Sequence, residues 1–337
     1  MRVLASSHSF APNRGGLETA TRLLAEEFVR RGHEVTVVTQ TPDAQEQAGA
    51  FPYAVVRRPS TGELWRQIGR ADVVWHNHIS LRTGWPQLLP GAFRKPWVIT
   101  HQTWLPEQGI AAAVKRHALS RAISVAISGP IAAALPVPSE LIPNPYDDRI
   151  FYSDPATIRD GEVVAVGRLV SDKGFDLLLR AIGLLQRRGR TVGLTLAGSG
   201  PEEVALRALA TEEGIAARVT FAGAQTPEDL AVLLRRHRVL AVPSRWAEPF
   251  GIVALEGIAC GCAAVASRGG GLPEAVGPCG FLFDNGDAEG LAGALEQALA
   301  LEADGTVWRN HAARFTRERI GAAYLALFER ALREGRR

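Results

Sequence analysis

The sequence predicts two doubly wound α/β domains in tandem, and three observations carry that prediction. Apolar runs of strand length alternate with stretches of helical apolar spacing. The alternation breaks once, over residues 142–162, and then restarts. The chain has 337 residues, more than one hydrophobic core usually serves.

The first half opens on the strand-like MRVLASS, then LETATRLLAEEFVRRG, with apolar residues at helical spacing at Leu17, Ala20, Leu24 and Phe28, then HEVTVVTQ. Gly32 stands where a helix C-terminal glycine belongs. DVVWHNH, PWVITHQ and ISVAIS follow as further strands. Near-continuous apolar strands joined through helices imply a parallel sheet covered on both faces. The most apolar segment, Ala122 to Pro138, is interrupted by Gly129, Pro130 and Pro136, so it reads as strand, turn and short helix rather than a membrane span.

Residues 142–162 are dense in Pro and Asp without periodicity and read as an inter-domain linker. Beyond it come EVVAVGRLV, a helix over 176–187, VGLTLAGSG, a helix over 201–214, RVTFAGA, a helix over 227–236, and RVLAVPS. A helical tail follows, with apolar residues at Ile320, Tyr324, Leu325, Leu327 and Phe328. The expected division is 1–150, 151–310 and a C-terminal helix, 311–337, expected to cross back to the first domain, with packing on the second as the alternative.

Bulk composition narrows the function classes. With 46% hydrophobic and 22% charged residues the chain reads as globular and soluble. Cys260, Cys262 and Cys279 form neither an even-numbered disulfide framework nor a CxxC pair, which fits a reducing, cytoplasmic setting. The N-terminus lacks the apolar core and cleavage site of a secretion signal. A formal charge of +3 without a long basic block suits an anionic ligand or peripheral contact with an anionic membrane, and is too weak for nucleic acid.

The chemistry-bearing residues fall at strand-to-helix junctions, where parallel α/β sheets bind ligands. NRGGLE places Gly15 and Gly16 before the first helix, either as a plain turn or as a close approach to an anion. In GRLVSDKGFD, Arg168 and Lys173 can face one phosphate or diphosphate, or stand solvated at the surface. GSGPEE lacks the third glycine of a dinucleotide fingerprint, which disfavours a nicotinamide enzyme. No Asp-x-Asp, HExxH or metal-spaced His/Cys set is present, so no metal and no cofactor are expected to be required.

The stretch EPFGIVALEGIACGCAAVAS puts Glu256 inside an apolar helical run, where a carboxylate must be met by protein donors or by ligand. His101, ending VITHQTW, is either a strand-end surface histidine or a group facing substrate. His76 and His78 read as structural. Of the tryptophans, Trp104 is the one singled out for an acceptor, the others in the first half being core candidates.

EPFGIVALE resembles the Glu-x7-Glu motif of retaining family 4 glycosyltransferases of GT-B fold, and GGLPE, GRLVSDKGFD, PSRWAEPFG, IPNP and the amino-terminal GGLE resemble that family's companion segments in the same order. The resemblance implies two Rossmann-like domains facing across a cleft. It also implies a retaining, metal-independent transfer of sugar from a nucleotide-diphosphate sugar to a hydroxyl acceptor. By it, Glu256 holds the ribose hydroxyls, Glu248 and His101 lie beside the donor sugar, Arg168 and Lys173 bind the diphosphate, and the backbone around Phe250, Gly251 and Ile252 receives sugar hydroxyls or phosphate. IPNPYD departs from the family's usual Asn-Gly, because Pro145 cannot take positive φ, so the turn there must differ. A phosphorylase of the same fold, and a silent nucleotide-binding module, are the competing readings.

Overall fold

The computed structural model describes residues 1–13, 15–42, 51–89, 95–105, 116–301 and 305–334. Arg14 of the NRGGLE turn and residues 335–337 of the tail lie outside them. The chain forms two compact units, Met1–Tyr146 with Phe315–Arg337, and Asp147–Arg314.

The first unit is built on a parallel sheet of β1 (Arg2–Ser7), β2 (Glu34–Thr39), β3 (Ala54–Arg57), β4 (Val73–Asn77), β5 (Trp97–His101), β6 (Ile123–Ala126) and β7 (Ser139–Leu141). Its spatial order is β3-β2-β1-β4-β5-β6-β7. The direction of winding reverses between β1 and β4, so the loops leaving their carboxyl ends diverge and open a crevice there. The apolar strands are buried along almost their whole length, as expected of a sheet covered on both faces.

Helix Gly16–Arg30 and the C-terminal helix Arg317–Glu334 pack on this sheet through an aromatic cluster. Phe28 meets Trp75 edge-on at 5.7 Å and Phe328 at 5.6 Å, and Trp75 lies 5.4 Å from Tyr324. The polar tips are satisfied internally: the Thr100 hydroxyl accepts from Trp75 Nε1 at 2.9 Å and lies 2.9 Å from the Tyr324 hydroxyl. Beside the cluster, Glu27 is 1% exposed and takes hydrogen bonds from Arg30 and Arg31 at 2.6–2.8 Å. Burial alone would raise the Glu27 pKa, but the two guanidinium groups outweigh it and hold the carboxyl below the usual range. The two helices approach so closely here that a Cβ on Gly321 would lie 2.4 Å from Glu27 Cγ.

The second unit repeats the plan with β8 (Gly161–Val166), β9 (Leu194–Ala197), β10 (Val219–Gly223), β11 (His237–Val242), β12 (Ala263–Ser267) and β13 (Gly280–Phe283). Its parallel order is β10-β9-β8-β11-β12-β13. The reversal falls between β8 and β11, so the loops that follow these two strands occupy the crevice position. Helices Phe175–Arg187 and Ala288–Ala300 pack against each other beside the sheet.

The stretch from Ile142 to Tyr146 is tied into the first unit. The Ile142 amide donates to Ala126 at 3.0 Å, Asn144 and Gln102 exchange amide hydrogen bonds at 2.7 and 2.8 Å, and Tyr146 bridges to Thr316. Pro145 takes no positive φ. The segment carrying Pro145 is held instead by the Asn144 side chain through its exchange with Gln102.

Candidate active site

In the first unit the carboxyl ends of the strands carry a buried chain of amides and hydroxyls. Gln102 donates to Asn77 at 2.7 Å, Asn77 donates to Thr21 at 2.7 Å, and the Thr21 hydroxyl reaches Ser7 at 3.2 Å. Together with Asn144 these residues tie β1, β4, β5 and the first helix into one frame. All five are buried, so each lost bond would leave a desolvated polar group behind. Sequence reading passed over them because isolated Asn, Gln and Ser have no spacing pattern.

Gly15 is the N-cap of helix Gly16–Arg30, in extended conformation and without a side-chain cap, so the helix N-terminus is left to its own amides. The Glu18 carboxylate folds back over it: a Cβ on Gly15 would lie 2.6 Å from Glu18 Oε2. His101 ends β5 and is fully buried rather than a surface group, with Nε2 3.4 Å from the Ser124 hydroxyl. His76 is also buried, edge-on to Trp97 at 5.6 Å. His78 sits beyond the end of β4 with φ +79°, a conformation that non-glycine residues hold only under constraint. Trp104 is half-buried, whereas Trp75 and Trp97 are core.

In the second unit the loops after β8 and β11 bring three predicted residues into play. Arg168 is exposed, and among the described residues no acidic side chain reaches its guanidinium. Lys173 ends a short turn, Ser171–Lys173, and its Nζ lies 2.5 Å from Glu248 Oε1. The structure thus gives Lys173 a protein partner that the sequence left unforeseen. Gly174, at φ +67°, is needed where this turn passes into the next helix, because a Cβ would lie 2.1 Å from the Pro243 carbonyl oxygen.

Helix Ile252–Ala259 starts at Gly251, which has φ +108° and leaves the N-terminus without a side-chain cap. Phe250 is 2% exposed, so its side chain belongs to the core. On this helix Glu256 is half-buried, and among the described residues no donor meets its carboxylate. Burial pushes its pKa up to about 7, with the nearby charge of Asp147 adding to the rise. Asp147 itself is bonded to the Arg149 guanidinium at 2.9 Å through both oxygens.

Among the described residues this unit offers an unpaired cation in Arg168, a second cation shared with a carboxylate, an uncapped helix N-terminus and an unmet half-buried carboxylate. Cations and amides suit an anion, and the carboxylate suits a pair of hydroxyls. Among the described residues no cluster of three His, Cys, Asp or Glu side chains could hold a metal ion, and no helix is long and apolar enough to cross a membrane.

Comparison with known proteins identifies the family of the chain. The family pattern described as Glycosyl transferases group 1 matches residues 154–317, and that described as Glycosyltransferase Family 4 matches residues 14–148. A GDP-mannose-dependent alpha-(1-6)-phosphatidylinositol monomannoside mannosyltransferase of Mycolicibacterium smegmatis is 30% identical, over 88% of this chain and 89% of that protein. A D-inositol 3-phosphate glycosyltransferase of Mycobacterium avium is 41% identical over 52% of this chain and 43% of its own length. Among solved structures, Anabaena Alr3699/HepE in complex with UDP superposes with TM-score 0.81 at 21% identity, covering 98% of this chain and all (100%) of that one. Sucrose-phosphate synthase from Thermosynechococcus elongatus superposes with TM-score 0.73 at 23% identity, over 98% and 99%. Two parallel-sheet units that share a six-strand order, the first with a seventh strand added, sequence matches along both, and a relative aligned over nearly its full length place this chain in the family 4 glycosyltransferases of GT-B fold, and it is a glycosyltransferase.

Proposed function

We propose that the chain transfers a glycosyl group from a nucleoside diphosphate sugar to a hydroxyl acceptor, with retention at the anomeric carbon and with no required metal. The observation that carries this reading is Glu256, a half-buried carboxylate for which the described residues supply no donor. Two ribose hydroxyls would supply the missing hydrogen bonds. The relatives' names point to the same donor class, one being GDP-mannose-dependent and another structure having been solved with UDP-glucose.

In this reading the second unit binds the donor. Arg168 and Lys173 face the diphosphate, the amides of Phe250, Gly251 and Ile252 receive phosphate or sugar hydroxyls, and Glu248 contacts the sugar. The first unit binds the acceptor; Gly15 and Gly16 approach the donor there, and His101 lies near the reacting carbon. The bond from C1 to the diphosphate oxygen breaks with its electron pair going to the diphosphate. The acceptor oxygen bonds to C1, and its proton passes to the departing oxygen.

Negative charge grows on the diphosphate as the bond breaks, and fixed cations stabilise it without reorganising. Two protein cations make a metal unnecessary for that step. Glu248 is already engaged by Lys173, which argues against a covalent nucleophile and for departure on the face the acceptor attacks. A glycosyl adduct trapped on Glu248 would exclude this route.

Thermal melting with UDP, GDP, ADP and dTDP, each with and without chelator, tests the donor reading. A ligand at 100 times its Kd adds about 2.7 kcal/mol to folding stability. Stabilisation by one nucleotide and indifference to chelator are expected. No response to any of the four would remove Glu256 as a ribose ligand, and a reaction that ran only with inorganic phosphate would replace the transferase by a phosphorylase.

A further inference from the structure

The Glu248 carboxylate is held asymmetrically. Both of its hydrogen bonds among the described residues fall on one oxygen: Oε1 accepts from Lys173 Nζ at 2.5 Å and from the Ser244 hydroxyl at 2.8 Å, and Oε2 accepts none. Ser244 is 1% exposed and is fixed in turn, its carbonyl accepting from the Ser267 hydroxyl at 2.7 Å. The Glu248 backbone is clasped from the other side. Its carbonyl accepts from Gly271 at 2.7 Å, and Gly270 passes so close that a Cβ would lie 2.0 Å from that oxygen.

Three segments thus meet on one residue: the loop after β11 through Ser244 and the loop after β8 through Lys173 on its side chain, and the loop after β12 through Gly270 and Gly271 on its backbone carbonyl. A glutamate needed only to neutralise Lys173 could stay mobile, since an ion pair tolerates many geometries. Here main chain and side chain are both fixed, and the oxygen left over is an acceptor with no donor of its own. Glu248 keeps 16% of its side-chain surface exposed, enough for a ligand to reach it.

We propose that Ser244 is a positioning residue that sets the sugar selectivity of the donor site. Ser244 and Lys173 saturate Oε1, so Oε2 is presented in one direction as the sole acceptor for a hydroxyl of the donor sugar. A sugar whose hydroxyl stands in that direction gains a charge-assisted hydrogen bond, and its epimer leaves the oxygen unmet. Without the Ser244 bond the carboxylate swings about Lys173 and the directional preference is lost. The inference rests on the glycosyl-transfer reading and deepens it.

The test is Ser244→Ala in the full chain, assayed with UDP-glucose, UDP-galactose and GDP-mannose, alongside Kd values for UDP and GDP. With the sugar nucleotide that wild type uses best, kcat/KM should fall about tenfold, the weight of one hydrogen bond to a charged group. The ratio between that sugar and its epimer should shrink by a similar factor, while the Kd of the bare nucleotide changes less than twofold. Ser244→Thr, which keeps a hydroxyl, should restore part of the loss. In a Glu248→Gln background Ser244→Ala should add little, because both act through one side chain.

Unchanged selectivity in a folded, active Ser244→Ala protein overturns the proposal. So does a parallel loss of bare-nucleotide affinity, which would mark Ser244 as merely structural. If Ser244→Ala does not fold, the selectivity ratio of Ser244→Cys decides in the same way. Wild type inactive with every sugar nucleotide, yet binding UDP or GDP, would defeat the glycosyl-transfer reading itself, and the inference with it.

Discussion

Replacing Glu256 by Gln should make the unliganded protein more stable while weakening its nucleotide binding. The Glu256 carboxyl is raised from 4.5 to about 7 by burial and by Asp147, so the folded state holds a proton that the unfolded chain gives up. The resulting penalty is absent below pH 4.5, grows as pH rises, and is complete above about 7. At 1.36 kcal/mol per pKa unit the full penalty is at most about 3 kcal/mol at pH 8. Residual contact with water reduces that to roughly 1–2 kcal/mol. An uncharged amide of the same shape escapes it.

For a unit of this size each kcal/mol moves Tm by about 2–4 °C, so Glu256→Gln should melt roughly 2–8 °C higher at pH 8. The gain should shrink toward zero by pH 5. Differential scanning calorimetry at the two pH values measures both. Nucleotide titration at pH 8 should show the reverse, a weaker complex, because the ribose hydroxyls lose an ionised acceptor. Binding by wild type should correspondingly fall as pH drops below about 7. A variant no more stable at pH 8 than wild type, or equally stabilised at both pH values, would refute the reasoning.

Other perturbations report on other links of the chain. Lys173→Ala should lower kcat by about 10²–10³ with a smaller change in nucleotide Kd if Lys173 stabilises charge developing on the diphosphate; steady-state kinetics beside calorimetric Kd values check this. Gly321→Val should destabilise the first unit by about 1–3 kcal/mol in urea unfolding, because even its Cβ would press on Glu27. An unchanged midpoint would mean the helices separate at little cost. Glu27 has a depressed pKa, so its contribution is present above about 4.5 and is lost as pH falls below that value. Acid unfolding monitored by tryptophan fluorescence should therefore shift to higher pH in Glu27→Gln.

The sequence disclosed the repeated strand-helix plan because the inner strands are unbroken apolar runs such as VVAV and LAV, and because Pro and Gly mark the turns. It did not disclose β3, β7 or β13. These are edge strands of only three or four residues, most of them half-exposed. Residues at strand-to-helix junctions were legible as a set, because glycines, cations and carboxylates accumulate there. What they touch was not. The pairing of Lys173 with Glu248 joins residues 75 apart in sequence, and the Asn144–Gln102 exchange spans 42. Such partners depend on how strands register, and spacing along the chain carries no trace of that.

The C-terminal helix completes the first unit's core through Tyr324 and Phe328, and this has a consequence for synthesis. The second unit is continuous in sequence and can fold as soon as it emerges. The first must wait, with Phe28 and Trp75 uncovered, while about 170 further residues are made, roughly 10–30 s at about 5–20 residues per second. During that interval the nascent chain shows an aromatic surface that the finished protein hides. Emergence of helix Arg317–Glu334 from the ribosome, rather than completion of the amino-terminal sheet, is therefore the event that closes the first unit's core.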